Sequence, residues 1–193
     1  MNNSIRNPIA TLQLLSEEQI NSQGLFTVLA PHAARTHMLA LAARLAWRGP
    51  LQVLDAGNRF NAYQVARFLR GDGAEDFRQA LDRIRVARAF TPTQMLALLQ
   101  ATPASKDPTL VLDLLSTFYD ESLPFSERQR TLLGCILELK QLSSAAPVVV
   151  SVRPPPPSEP DPLGFIDLLQ EQADQVYFFE EIARPVQPPL FSL

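Results

Sequence analysis

LFTVLAPHAARTHMLALAARLAW, residues Leu25 to Trp47, joins three different patterns without a break. Leu25–Leu29 is a continuous apolar run, Ala30–His37 is a turn of eight residues, and a long Ala/Leu/Arg pattern near Ala33–Trp47 has helical character. A buried strand, a tight turn and a helix in that order form the setting of a phosphate-binding loop, and the spacing is that of GxxxxGK[ST]. The chemistry of the turn is different. Ala30 and Arg35 stand at the two glycine positions, Thr36 at the lysine position and His37 at the Ser/Thr position. Glycines there let backbone N–H groups close around phosphate, and lysine adds a mobile charge. A register shifted by one puts Arg35-Thr36 where Lys-Thr belongs, which leaves anion binding at the helix N-terminus open. An ordinary strand-to-helix turn is the other reading of the same residues.

The rest of the chain repeats this alternation. LQVLD (Leu51–Asp55) is a short buried strand ended by Ala56-Gly57-Asn58, and Asn61–Arg70 has helical spacing up to Gly71. A weaker helix covers Glu75–Asp82, and RIRVARAF is strand-like. Thr91-Pro92 supplies an N-cap and a first helical residue. TLVLDLL (Thr109–Leu115) is apolar up to Asp113, Ser126–Leu142 is a long amphipathic helix with Ser126 as its expected cap, and PVVVSV and QVYFF are the last strands. Apolar strands separated by helices predict a doubly wound α/β fold with a mainly parallel sheet covered on both faces. Ligands in such sheets sit beyond the carboxyl ends of the strands. Ala30–His37, Asp55–Phe60, Asp113–Tyr119 and Ser151–Arg153 should therefore be neighbours along one edge. Asp113, closing a buried strand, is placed where a carboxylate could orient Mg²⁺.

Composition bounds the possibilities. The chain has 193 residues, 46% of them hydrophobic, enough for one domain with a sizeable core. Three segments are expected: an N-terminal approach over 1–24, a core domain over 25–181 and a Pro-rich tail over 182–193. No run of eighteen apolar residues occurs and MNNSIRNPIA has no signal-peptide character, so a cytoplasmic location without membrane association is expected. The single Cys135 lies in an apolar helical stretch and reads as a small buried hydrophobe in a reducing compartment. With only His32 and His37, a histidine metal site has few ligands.

The net charge of −3 is unevenly spread. Arg35 to Arg88 holds ten arginines against five acids, whereas Asp107 to the C-terminus holds thirteen acids against five basic residues. That asymmetry fits an anionic partner, a head-to-tail contact between subunits, or solvated arginines balanced by nearby acids.

LVLDLLSTFYDE, SERQRTLLGCILELKQL and APVVVSV together resemble the Walker B strand, following helix and next strand of RecA/RadA recombinases, the RadA branch most closely. RVARAFTPTQMLALLQ resembles that family's Ala-Arg-Ala-Phe segment, and VLDAGNRFNAYQVARFL its DTEGTFRPERL stretch. LQLL…GLFTVLAP resembles the approach to its phosphate loop. The similarity is collinear from about Leu12 to Phe179. It implies a RecA-like core that binds ATP, assembles head to tail and acts on DNA in recombinational repair.

Carried over residue by residue, the resemblance makes Asp113 the Walker B aspartate and a candidate Mg ligand, and Asp55 the aspartate of the DTEGTF segment. Gly57 replaces the glutamate that would activate water, so no catalytic residue is assigned. Phe60 keeps that segment's aromatic, in a packing role. Ala30, Arg35, Thr36, His37 and Asp113 form a degenerate nucleotide site that implies weak Mg-ATP binding or no cofactor. Arg59, Arg67, Arg88 and Arg153 are candidate contacts to DNA or a partner. The loops matching the family's DNA-binding loops are Tyr119–Phe125, short and acidic, and Arg153–Gly164, with six prolines and two acids for one arginine. That composition opposes phosphate contacts, so direct DNA binding should be weak or absent. A non-hydrolysing accessory subunit in recombination or repair is expected, partnered by a recombinase-like or repair protein or by copies of itself. The alternatives are a weak ATPase or nucleotide sensor, and a RecA-like regulatory module of cell division or polymerase function.

Overall fold

A computed structural model describes residues 4–6, 16, 18–19, 22–71, 77–119, 123–155 and 164–179. Seven strands form one sheet: β1 (Ser4–Arg6), β2 (Gly24–Leu29), β3 (Leu51–Asp55), β4 (Ile84–Arg88), β5 (Thr109–Leu112), β6 (Pro147–Val152) and β7 (Gln175–Phe178), in the order β1-β7-β2-β6-β5-β3-β4. All six pairings are parallel. Helices α1 (Arg35–Arg48), α2 (Ala62–Gly71), α3 (Phe77–Asp82), α4 (Pro92–Ala101), α5 (Phe125–Ser143) and α6 (Phe165–Gln172) join them.

The helices divide between the two faces as the apolar strands require. Met38, Leu39 and Leu41 of α1, Val65 and Leu69 of α2 and Ala80 of α3 pack on one side with Val28, Val53 and Leu110. Met95 and Leu99 of α4, Leu132, Cys135, Ile136 and Leu139 of α5 and Phe165 and Leu169 of α6 pack on the other with Leu54, Val111 and Val150. Strands β5 and β6 are buried along their whole length, which explains why TLVL and PVVVSV lack a polar alternation. The fold is α/β and doubly wound, as expected. It is compatible with a RecA-like core.

Three details differ from the sequence reading. Ser4–Arg6 forms an edge strand paired with β7, in a segment without an apolar run. A tight 3₁₀ turn, Pro31–Ala34, precedes α1, which starts at Arg35. Helix α5 starts at Phe125, not after a Ser126 cap: Pro124 is its N-cap, and the Pro124 carbonyl accepts from the N–H groups of Glu127 and Arg128. A proline with φ of −55° is preset for that role, and Phe125 is anchored by its ring contact with Phe165 at 6.0 Å. Elsewhere the capping chemistry is as read. Thr91 Oγ1 accepts from Gln94 N–H at 3.2 Å, while Gln94 Oε1 accepts from Phe90 N–H at 2.9 Å.

Among the described residues no helix is long and apolar enough to cross a membrane. The Cys135 thiol is buried and pushed up to about 12 by desolvation, reinforced by Glu138. It therefore stays a thiol near neutrality.

Candidate functional site

The strand order makes β2 and β6 neighbours whose chains leave in opposite directions, β2 toward β3 through α1 and β6 toward β7 through α6 on the opposite face. That is a topological switch point, and the loops beyond it are where a ligand is held in such sheets. The four expected loops meet there. Ala30 N–H donates to Val152 O at 3.1 Å, Arg35 Nε to Arg59 O at 3.1 Å, and Asp113 N–H to Ser151 Oγ at 3.1 Å.

Two carboxylates organise this edge. Asp55, 1% exposed, accepts from the backbone N–H of Arg59 at 2.8 Å and of Phe60 at 3.0 Å. It folds the segment after β3 back on itself. Arg88, at the end of β4, donates from Nε to Asp55 Oδ2 at 3.2 Å. Asp113, fully buried, receives Arg59 through Nε at 2.8 Å and Nη2 at 2.7 Å, both to Oδ2. Arg153 Nε stands 3.6 Å from the same oxygen. Asp113 Oδ1 and Arg153 Nε are buried and have no hydrogen-bond partner among the described residues. Charges this far from water require compensation, and guanidinium groups supply it to both aspartates.

Gly57 explains how Asp113 comes so close. A Cβ built on it would lie 2.5 Å from Asp113 Cβ and 2.6 Å from Oδ2, closer than real atoms approach. The position that resembles the activating glutamate is thus filled by the Asp113 side chain. Any side chain at 57 has to displace that carboxylate.

The backbone here is strained as well. His32, Ala33, Ala34, Asn58 and Asp113 have φ between 50° and 55°, and they are the only non-glycine residues with positive φ among those described. Asn and Asp tolerate this left-handed region through short polar side chains, whereas alanine gains nothing from it. All five lie in the loops at the carboxyl edge, where strained backbone tends to collect around function.

The individual residues read from sequence are placed as follows. Ala30 is buried, Thr36 is exposed at the start of α1, and His37 is half-buried with its ring 5.1 Å from that of Phe179. Burial lowers the His37 pKa. Arg35, Arg59, Arg88 and Arg153 join one network with Asp55 and Asp113. Arg67 is exposed on α2 and outside that network. Phe60 packs against the core as expected. Tyr119–Phe125 and Arg153–Gly164 lie partly outside the described residues, and the tail over 182–193 wholly so. Sequence reasoning missed Arg59 as the partner of Asp113, because the two are 54 residues apart. The signal that existed was the coincidence of an arginine after one buried strand and an aspartate closing its neighbour.

Among the described residues no three His, Cys, Asp or Glu side chains gather as a metal cluster. A cavity of about 440 Å³ lies at the opposite, amino end of the sheet, lined by Gln23, Arg48, Pro50, Lys106, Asp107 and Pro147 among others. It holds neither a buried carboxylate nor strained backbone. The chemistry therefore places the candidate site at the carboxyl edge. No family model matches the chain, and no curated protein matches its sequence. Fold and site define a doubly wound parallel α/β protein with an arginine-compensated pair of aspartates at its switch point.

Proposed function

We propose that the chain is a RecA/RadA-like subunit that does not hydrolyse ATP and serves as an accessory or interaction subunit in DNA recombination or repair. The observation that carries this reading is the arrangement of Gly57, Asp113 and Arg59. The buried carboxylate that would orient a metal is already engaged by a guanidinium through two N–H groups on one oxygen. The water-activating side chain has neither presence nor room at position 57. Further support comes from the parallel sheet compatible with a RecA-like core and from the turn after β2, where Ala30 and Arg35 stand in place of glycines. A domain of this kind contributes surface, and uneven charge along the chain suits head-to-tail contact between unlike patches.

The test has two measurements. Phosphate release from Mg-ATP, with and without single-stranded DNA, should stay at background for the wild type and for Asp113→Ala alike. Affinity capture from native lysate should recover a recombinase-like or repair protein in stoichiometric amount. Turnover abolished by Asp113→Ala would overturn the non-hydrolysing reading. Stoichiometric recovery of cell-division or polymerase components alone would move the chain to the regulatory-module reading.

A further inference from the structure

The cavity at the amino end of the sheet, about 440 Å³, has the size of a small-molecule site and shares no residue with the arginine network. Three neighbouring strands that each begin at a proline form one wall of it: Pro50 and Pro108 immediately precede β3 and β5, and Pro147 opens β6. Proline has no N–H to offer a ligand. Other main-chain donors around the cavity are spent inside the fold. Gly49 N–H donates to Leu45 O at 3.2 Å, Ala145 and Ala146 N–H to Leu142 O at 3.1 and 3.3 Å, and Asp107 N–H to Ser105 Oγ at 3.1 Å. None of these positions offers an amide cradle to an anion. Recognition is left to side chains and helix ends. Arg48 and Lys106 bring positive charge from two different elements, and Asp107 brings negative charge. Helix α1 ends at Arg48 and α5 at Ser143, and residues just beyond them, Gly49 and Ala145, line the cavity. A helix C-terminus carries negative potential, so two of them open onto the same space as Asp107. Below the charges, Leu45 and Ala146 are buried and give the cavity an apolar floor.

We infer that this cavity is a second site, for a small zwitterion: a free α-amino acid with an apolar side chain. The carboxylate meets Arg48 and Lys106, and a guanidinium matches its two oxygens at once. The ammonium faces Asp107 and the two helix C-termini. The side chain lies on Leu45, Ala146 and the proline rings. A phosphate ester suits the same walls less well, because no amide cradle receives it and Asp107 repels it. An amine without a carboxylate leaves Arg48 and Lys106 facing it. The inference uses no residue of the carboxyl edge, so it stands or falls separately from the repair reading.

The experiment is a calorimetric titration of the full chain with L-leucine and with L-phenylalanine, at constant ionic strength. Each is compared with analogues that lack one group: isocaproate and hydrocinnamate without the ammonium, isoamylamine and phenethylamine without the carboxylate, and glycine without the side chain. Saturable binding of at least one of the two amino acids is expected, with every matching analogue weaker by about tenfold or more. Lys106→Gln and Asp107→Asn should each weaken the amino acid by about tenfold, and Arg67→Gln on α2 should leave it unchanged. Lys106 is exposed and Asp107 half-buried, so both variants should keep the wild-type circular dichroism and unfolding transition. No saturable heat with either amino acid at millimolar concentration would overturn the inference. So would an analogue that binds as tightly as its parent, or binding that survives both Lys106→Gln and Asp107→Asn.

Discussion

The two ends of one sheet are built from opposite materials. At the amino end, Pro50, Pro108 and Pro147 lead into β3, β5 and β6 around an open cavity whose charged side chains reach solvent. At the carboxyl end, two buried aspartates, four arginines and five left-handed non-glycine residues crowd the ends of β2 to β6 and the loops that follow them. The strands between are equally apolar at both ends, so the core does not require this asymmetry. Burying charge and straining backbone cost free energy, and here both are concentrated at one edge, as they are at sites that bind or react.

The contrast predicts unequal responses to mutation. The largest should come from Arg59→Ala, which leaves the buried Asp113 carboxylate with only the longer contact to Arg153, at 3.6 Å. Urea unfolding should show a loss of about 3–5 kcal/mol. Lys106→Ala at the opposite end should stay within about 0.5 kcal/mol of wild type. Equal effects at the two ends would remove the distinction. Next in size is Gly57→Ala, where the new Cβ collides with Asp113, and a destabilisation of about 1–3 kcal/mol is expected by the same measurement. A neutral result would mean that the loop gives way without disturbing the ion pair.

Smaller and opposite in sign is Ala34→Gly. It relieves a φ of 50° at the N-cap of α1, against the entropy that glycine adds to the unfolded chain. A net gain of about 0.5–1 kcal/mol should appear as a raised melting temperature. The smallest effect concerns pH. Burial lowers the His37 pKa from 6.5, so below that pH the unfolded chain takes up a proton that the folded chain refuses. This contribution to stability is present above pH 6.5 and is lost as the pH falls through the lowered folded value. His37→Phe, which keeps a ring against Phe179, should show a shallower loss of stability as the pH falls below 6.5. Identical slopes would remove His37 from the account.

Much of the architecture was legible because local chemistry specifies it. Leu51–Asp55 and Pro147–Val152 are apolar without interruption, and Thr91-Pro92 marks a helix start that forms as read. The convergence of four loops followed from the parallel topology alone. Ser4–Arg6 was hidden because three residues at a sheet edge carry no periodic signal. The left-handed turn over His32–Ala34 was hidden because alanine has no preference for that conformation; the surrounding packing imposes it. The pairing of Arg59 with Asp113 was hidden for a third reason. It depends on β3 and β5 lying side by side, which no window of local sequence contains.

The contact between Gly57 and Asp113 also constrains how this sequence can change over time. A carboxylate at 57 is not reachable by one tolerated step, because the first side chain to arrive meets Asp113 and dislodges it from Arg59. Position 113 or the loop carrying 57 would have to move first, and that change alone discards the ion pair. The two positions are therefore epistatic, with a valley of low stability between the arrangement seen here and one bearing an acidic residue at 57. Drift can alter Thr36 or Arg67, both exposed, in any order. At 57 and 113 the order matters, because a side chain at 57 meets Asp113 unless room has first been made for it.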